Sequence, residues 1–178
     1  MDPGWVALLR AVNVGGRNVV PMAGLRGALE EAGCSSVATY IQSGNVVFRR
    51  KGKSRDALAE ELAALVRQTF GVPAAVVLRT FAEIRKLAAA EPFGGDVEHT
   101  HVAFLAAKPE RKAVAALESL DIAPEGVEVV GSDVFLHYPN GLGRAKLTGA
   151  LLERRLGVPG TVRNWRTVTR LAEMAESA

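Results

Sequence analysis

Two stretches decide the fold: Ala64-Leu65-Val66 running on to Phe70-Gly71-Val72-Pro73, and Ala150-Leu151-Leu152 running on to Leu156-Gly157-Val158-Pro159. They align without a gap, Gly71 and Gly157 standing 86 positions apart. The second reads as the end of a helix stopped by Gly157. Working outward, Val76 and Val162 continue at the same offset, and Arg79-Thr80 matches Arg166-Thr167 one residue further on. Towards the N-terminus, Val6-Ala7-Leu8-Leu9 resembles Val102-Ala103-Phe104-Leu105, and Ser43-Gly44-Asn45-Val46 corresponds to Gly131-Ser132-Asp133-Val134. Several matches in one order indicate an internal duplication.

Hydrophobic spacing gives each half the same element order. In the first, residues 5–12 form an apolar strand, and Met22, Leu25, Leu29 and Ala32 recur at helical spacing before the Gly33 stop. Strands at 37–42 and 45–49 flank a Ser-Gly turn. Ser54 caps a helix carrying Leu58, Leu62 and Leu65, 74–79 is a strand, and Thr80 with Glu83 makes a capping box. The second half repeats this: a strand at 101–107, a helix opened by Pro109, a hairpin of 127–130 with 134–138, a helix through Leu147, Leu151 and Leu156, a strand at 161–163 and a last helix capped by Asn164. The expected class is α+β, a tandem duplication of a ferredoxin-like split βαβ (βαββαβ) unit whose antiparallel sheets carry helices on one face. The halves are expected at 1–92 and 93–178, joined at Glu91-Pro92-Phe93-Gly94-Gly95, as two domains or one composite core.

Composition bounds the function. With 178 residues, 48% hydrophobic and 23% charged, the chain is neither disordered nor fibrous. Cys34 is the only cysteine, which rules out an internal disulfide and a thiolate zinc site. No apolar run reaches membrane-spanning length and no basic-then-apolar leader opens the chain, so cytoplasmic residence and no membrane partner are expected. The net charge of +3 is unevenly spread. No acid lies between Pro3 and Leu29, while seven basic residues face one acid, Glu153, between Arg144 and Arg170. That bias suits an anionic partner, and a solvated basic helix face is the commoner explanation.

Two loops are elaborated in one half only: Asn13-Val14-Gly15-Gly16-Arg17-Asn18, and Pro139-Asn140-Gly141-Leu142-Gly143-Arg144-Ala145-Lys146. Both combine glycines with cations ahead of a helix. Glycine lets backbone N–H groups converge, a helix start adds partial positive charge, and arginine adds directed donors, a set suited to phosphate, sulfate or carboxylate. The alternative is two turns that use glycine for positive φ. Neither loop matches a P-loop or Gly-x-Gly-x-x-Gly.

The segments Leu8-Leu9-Arg10-Ala11-Val12-Asn13-Val14-Gly15-Gly16, Tyr40–Phe48, Gly143-Arg144-Ala145-Lys146-Leu147-Thr148 and Arg163-Asn164-Trp165-Arg166-Thr167 resemble, in this order, the signatures of a bacterial family known as domain of unknown function (DUF) 1697. Ala11 stands where the family pattern would have glycine. The resemblance implies a cytosolic α+β fold of two related halves and supplies no activity or cofactor.

Other chemistries fit poorly. His99 and His101 would share a strand face without a third ligand, so no metal is expected, and His137 reads as a half-exposed strand position. Ser43 lacks the Gly-x-Ser-x-Gly frame, and Cys34 reads as a partly buried structural thiol or an unreactive surface thiol. No carboxylate pair suggests acid/base hydrolysis. The expectation is therefore an anionic ligand, a phosphorylated metabolite or nucleotide, in a cleft between the repeats. Arg10, Arg17, Arg144, Lys146 and Arg163 would supply charge, Gly15 and Gly16 amides a cradle, Asn13, Gln42, Ser43, Asn45 and Asn164 orientation, and Trp165 a wall. The alternatives are binding of an RNA or single-stranded DNA backbone through the basic surface, where Trp5, Tyr40 and Trp165 could stack bases but read better as core or site-wall residues, and a protein-interaction module that pairs by strand addition.

Overall fold

The computed structural model describes residues 2–90 and 92–178; Glu91, part of the expected junction, lies outside the described residues. The chain divides into two compact units, one running to Leu87 and including Arg170–Ala178, the other Ala88–Thr169. Sequence periodicity carries no sign of the return of residues 170–178 to the first unit.

The first unit contains β1 (Gly4–Leu9), α1 (Met22–Glu31), β2 (Ser35–Tyr40), β3 (Asn45–Arg49), α2 (Arg55–Phe70), β4 (Val76–Thr80) and α3 (Phe81–Ala88). Its antiparallel sheet has the order β2-β3-β1-β4. Alternate residues of the sheet (Trp5, Ala7, Leu9, Val46, Phe48, Val76, Leu78) form one core with Leu25 and Leu29 of α1 and Leu58, Leu62 and Val66 of α2. The other set, Val6, Leu8, Val47 and Val77, is buried as well, which explains why β1 reads as an unbroken apolar run. Phe81 packs on this second face over Gly4, where an added Cβ would fall 2.1 Å from the ring. Arg49 lies over Phe81 and donates to the Ala178 carbonyl at 3.0 Å.

Local chemistry sets the helix ends. The Ser54 hydroxyl accepts from the Ala57 N–H, and Gly71 closes α2 in the left-handed region at φ 70°. The capping box forms: Glu83 accepts from the Thr80 N–H at 2.7 Å, and the Thr80 hydroxyl accepts from the Glu83 N–H at 3.2 Å. Burial pushes the Glu83 carboxyl up, but hydrogen bonds from Arg55 and Thr80 outweigh it and leave Glu83 below the usual carboxylate range.

The second unit repeats the plan with β5 (Thr100–Leu105), α4 (Arg111–Glu118), β6 (Gly126–Val130), β7 (Asp133–His137), α5 (Gly149–Leu156), β8 (Gly160–Asn164) and the start of α6 (Trp165–Ser177), in the order β6-β7-β5-β8. Leu117, Leu136, Tyr138, Leu147, Leu152 and Leu156 belong to its core. Thr148 caps α5, Gly157 ends it at φ 67°, and the Asn164 side chain accepts from the Thr167 N–H to cap α6.

Strand register corrects the sequence alignment beyond the prolines. Val6 pairs with Arg79 and Val102 with Arg163, so Arg79 corresponds to Arg163, not Arg166, and Val76 to Gly160, not Val162. The second half reaches its last strand two residues sooner after the shared proline. Phe81 and Trp165 then become equivalent first residues of α3 and α6.

Candidate functional site

At the end of β1 the chain enters a stretch of repeated left-handed residues: Ala11 (φ 58°), Asn13 (53°), Gly15 (57°), Gly16 (73°) and Asn18 (51°). Asparagine and glycine tolerate this region and alanine does not. That gives a physical reason for glycine in the family pattern at position 11. Ala11 is exposed and packs nothing that glycine would lose. Ala11→Gly should therefore stabilise the protein by about 0.5–1 kcal/mol, strain relief exceeding the added chain entropy. Thermal denaturation checks this, and a lower Tm would contradict the strain.

The loop is a miniature hairpin. Val14 bridges Arg17, and the Arg17 N–H donates to the Val14 carbonyl at 3.0 Å across Gly15-Gly16. Two central residues at positive φ mark a type I′ turn, so the turn reading of these glycines is realised. An added Cβ at either would meet nothing within 4 Å, so the tip is open.

Asn13 fastens the hairpin. Its Nδ2 donates to the Val20 carbonyl (2.9 Å) and to the Gln42 carbonyl (2.7 Å), while its Oδ1 accepts from the Val20 N–H (2.8 Å). Asn18 Nδ2 donates to the Ala11 carbonyl at 2.9 Å. Nearby, the Leu9 N–H donates to the Gly44 carbonyl at 2.8 Å, so the β2–β3 turn is tied to the same end of β1. Arg10, Asn13, Gly15, Gly16, Arg17, Gln42 and Ser43 are thus gathered at one end of the first sheet. Gly15, Gly16, Arg17 and Gln42 are exposed, as are Val14, Val19 and Ile41. Asn45 has another job: it is fully buried, and its Nδ2 donates to the Tyr40 carbonyl to close the hairpin.

The expected residues of the second unit are spread over different tasks. Arg144 is exposed in a 3₁₀ turn, Leu142–Arg144, and α5 starts only at Gly149, so the glycines of this loop do not open the helix. The loop's amides already hold an anion. Glu125 accepts from the Lys146 N–H at 2.5 Å and the Leu147 N–H at 2.9 Å, and Lys146 Nζ donates to the Ala123 carbonyl. Arg163 is buried, with Nη1 donating to the Thr161 hydroxyl (2.6 Å) and the Val162 carbonyl, and burial pulls it down to about 10. Asn164 is exposed and capping. Trp165 is buried against Phe135, and Trp5 is buried too, so neither indole is a free stacking surface.

Sequence reasoning missed one cluster. Asp96 takes His99 Nδ1 at 3.0 Å and His137 Nε2 at 2.8 Å on its two oxygens, and Phe93 stacks on His137. Hydrogen bonds from His137 and then His99 hold Asp96 down at about 2. Only the register Thr100↔His137 brings these residues together, and no sequence spacing reveals it. His101 points elsewhere, against Tyr138, and its buried Nδ1 has no hydrogen-bond partner among the described residues. Among the described residues no group of three His, Cys, Asp or Glu could hold a metal ion. Cys34 is buried, and burial raises its thiol above the usual range. No helix among the described residues is long and apolar enough to cross a membrane.

A family model described as "Protein of unknown function (DUF1697)" matches residues 3–135. A solved structure of a conserved bacterial protein from Streptococcus pneumoniae is similar over 98% of this chain and 99% of that one, with a TM-score of 0.76 and 24% identity. At that identity the likeness speaks for the fold. No curated protein matches the chain.

Proposed function

We propose that this chain, which belongs to the DUF1697 family, binds a small anionic ligand, a phosphorylated metabolite or nucleotide, at the loop end of the first unit. One observation carries the reading: Asn13 bonds the Val14–Arg17 hairpin to the Gln42 turn, holding two distant family signatures together beside Arg10 and Arg17. The region between Pro3 and Leu29 has no acid to repel such a ligand. Arg17, exposed beside the open glycine tip, offers a planar fork of donors to phosphate oxygens. Gln42 and Ser43 add neutral polar groups for orientation, and exposed Val14 and Ile41 offer apolar contact to the rest of a metabolite.

Melting the protein with nucleotides, sugar phosphates and polyphosphate at low and higher salt tests this. A ligand at about a hundredfold its Kd stabilises the native state by about 2.7 kcal/mol, several degrees in Tm. Arg17→Ala should remove the shift for the ligand that gives it while leaving the unliganded Tm within about 1 °C, the ordinary result for an exposed side chain. A shift retained in full by Arg17→Ala would defeat the assignment.

A further inference from the structure

The duplication supplies its own control for surface charge. In the second unit α4 opens with Arg111-Lys112 where α1 opens with Met22-Ala23. With the left-handed glycines Gly71 and Gly157 aligned, α5 closes with Arg154-Arg155 where α2 has Gln68-Thr69. Lys108 adds a further cation just ahead of α4. The Ala106 N–H donates to the Pro159 carbonyl at 2.9 Å, joining the stretch that enters α4 to the stretch that leaves α5. The first turn of one helix and the last turn of the other therefore share one end of the sheet. Lys108, Arg111, Lys112, Arg154 and Arg155 are all exposed there.

The α4 cations work against the helix they sit on, whereas Arg154 and Arg155 suit the last turn of α5. Cations in a first turn oppose the macrodipole, and the first turn of α4 holds no acid to offset them. Glu110 makes no side-chain cap bond, and Glu153 is engaged by the Gly160 N–H at 3.1 Å. Asp133, at the start of β7, is the other acid at this end. A departure from local preference that is confined to one repeat is where function is sought.

We propose that this end of the second unit docks on the phosphate backbone of double-stranded nucleic acid without reading its sequence. The chemistry selects that partner. Long, mobile cations on two helix ends suit phosphates spaced along a duplex. Neither α4 nor α5 carries an aromatic ring on which single-stranded bases could stack. Of the exposed large apolar side chains described in this unit, Val97, Val130 and Leu142, Val130 lies at this end beside Asp133, and a single valine is a small anchor for a lipid surface.

The test is fluorescence anisotropy of a labelled duplex of about 24 base pairs, with single strands and phosphatidylserine vesicles as parallel probes. With about four phosphates neutralised, affinity should fall about 100-fold between 50 and 200 mM salt. Arg111→Glu with Lys112→Glu should weaken duplex binding more than tenfold and flatten that salt dependence. The same pair should leave Tm unchanged or raise it slightly, because acids suit a helix start. Arg111→Glu with Lys112→Glu should keep in full the Tm shift given by a small anion, which separates this surface from the loop site of the first unit. No duplex binding at 50 mM salt, binding indifferent to the double substitution, or a preference for vesicles or single strands would each overturn the proposal.

Discussion

Replacing Gly44 with alanine will destabilise the protein by about 3 kcal/mol, about 10 °C in Tm for a chain of this size. Two costs add. Gly44 has φ 76°, where a Cβ costs about 1–2 kcal/mol. The added Cβ would also fall 2.7 Å from Leu9 Cβ and 2.7 Å from Val12 Cγ2, both core side chains 3% exposed. Forcing them aside costs about 1–3 kcal/mol more. Gly16→Ala is the internal control: its φ is 73° and nothing lies within 4 Å, so it should lose only the conformational part. Equal losses at the two positions would mean that the close approach of the β2–β3 turn to β1 is not real.

Glu125→Ala will cost about 2 kcal/mol, because it removes the anion held by two backbone amides. Charge-assisted hydrogen bonds contribute about 1.5–3 kcal/mol each. The exposed Lys146 amide can turn to water, whereas Leu147, 1% exposed, has its amide partly buried. Glu125→Gln keeps an acceptor and should lose about half as much. Urea denaturation measures the change, and faster hydrogen exchange at the Leu147 amide localises it. Protection at Leu147 unchanged in Glu125→Ala would contradict this role for the carboxylate.

Much of the architecture was legible because it rests on local chemistry. Ser54, Thr80 with Glu83, and Asn164 all act over three residues, and Gly157 by its own conformation. The hairpin correspondence of Asn45 with Asp133 follows from patterns within single segments, and the register agrees: Asn45 faces Leu8, and Asp133 faces Phe104. What stayed hidden depends on contacts across the fold. The slip of two residues before β8 is set by pairing with β5, and the reach of Glu125 to Lys146 spans 21 positions. The meeting of Asp96 with His137 spans 41. The candidate site was legible in part for the same reason. Glycines and arginines advertise a loop, but whether it lies open, as at Gly15 and Gly16, or has its amides taken by an internal carboxylate, as at Lys146, is a tertiary fact.

The loop end of the first unit is tested most directly by amide chemical shifts of the ¹⁵N-labelled protein titrated with pyrophosphate and with adenosine mono- and diphosphate. The account predicts saturable shifts centred on Gly15, Gly16, Arg17, Gln42, Ser43 and Gly44, absent in Arg17→Ala. Shifts centred elsewhere, or none at millimolar probe, would contradict it.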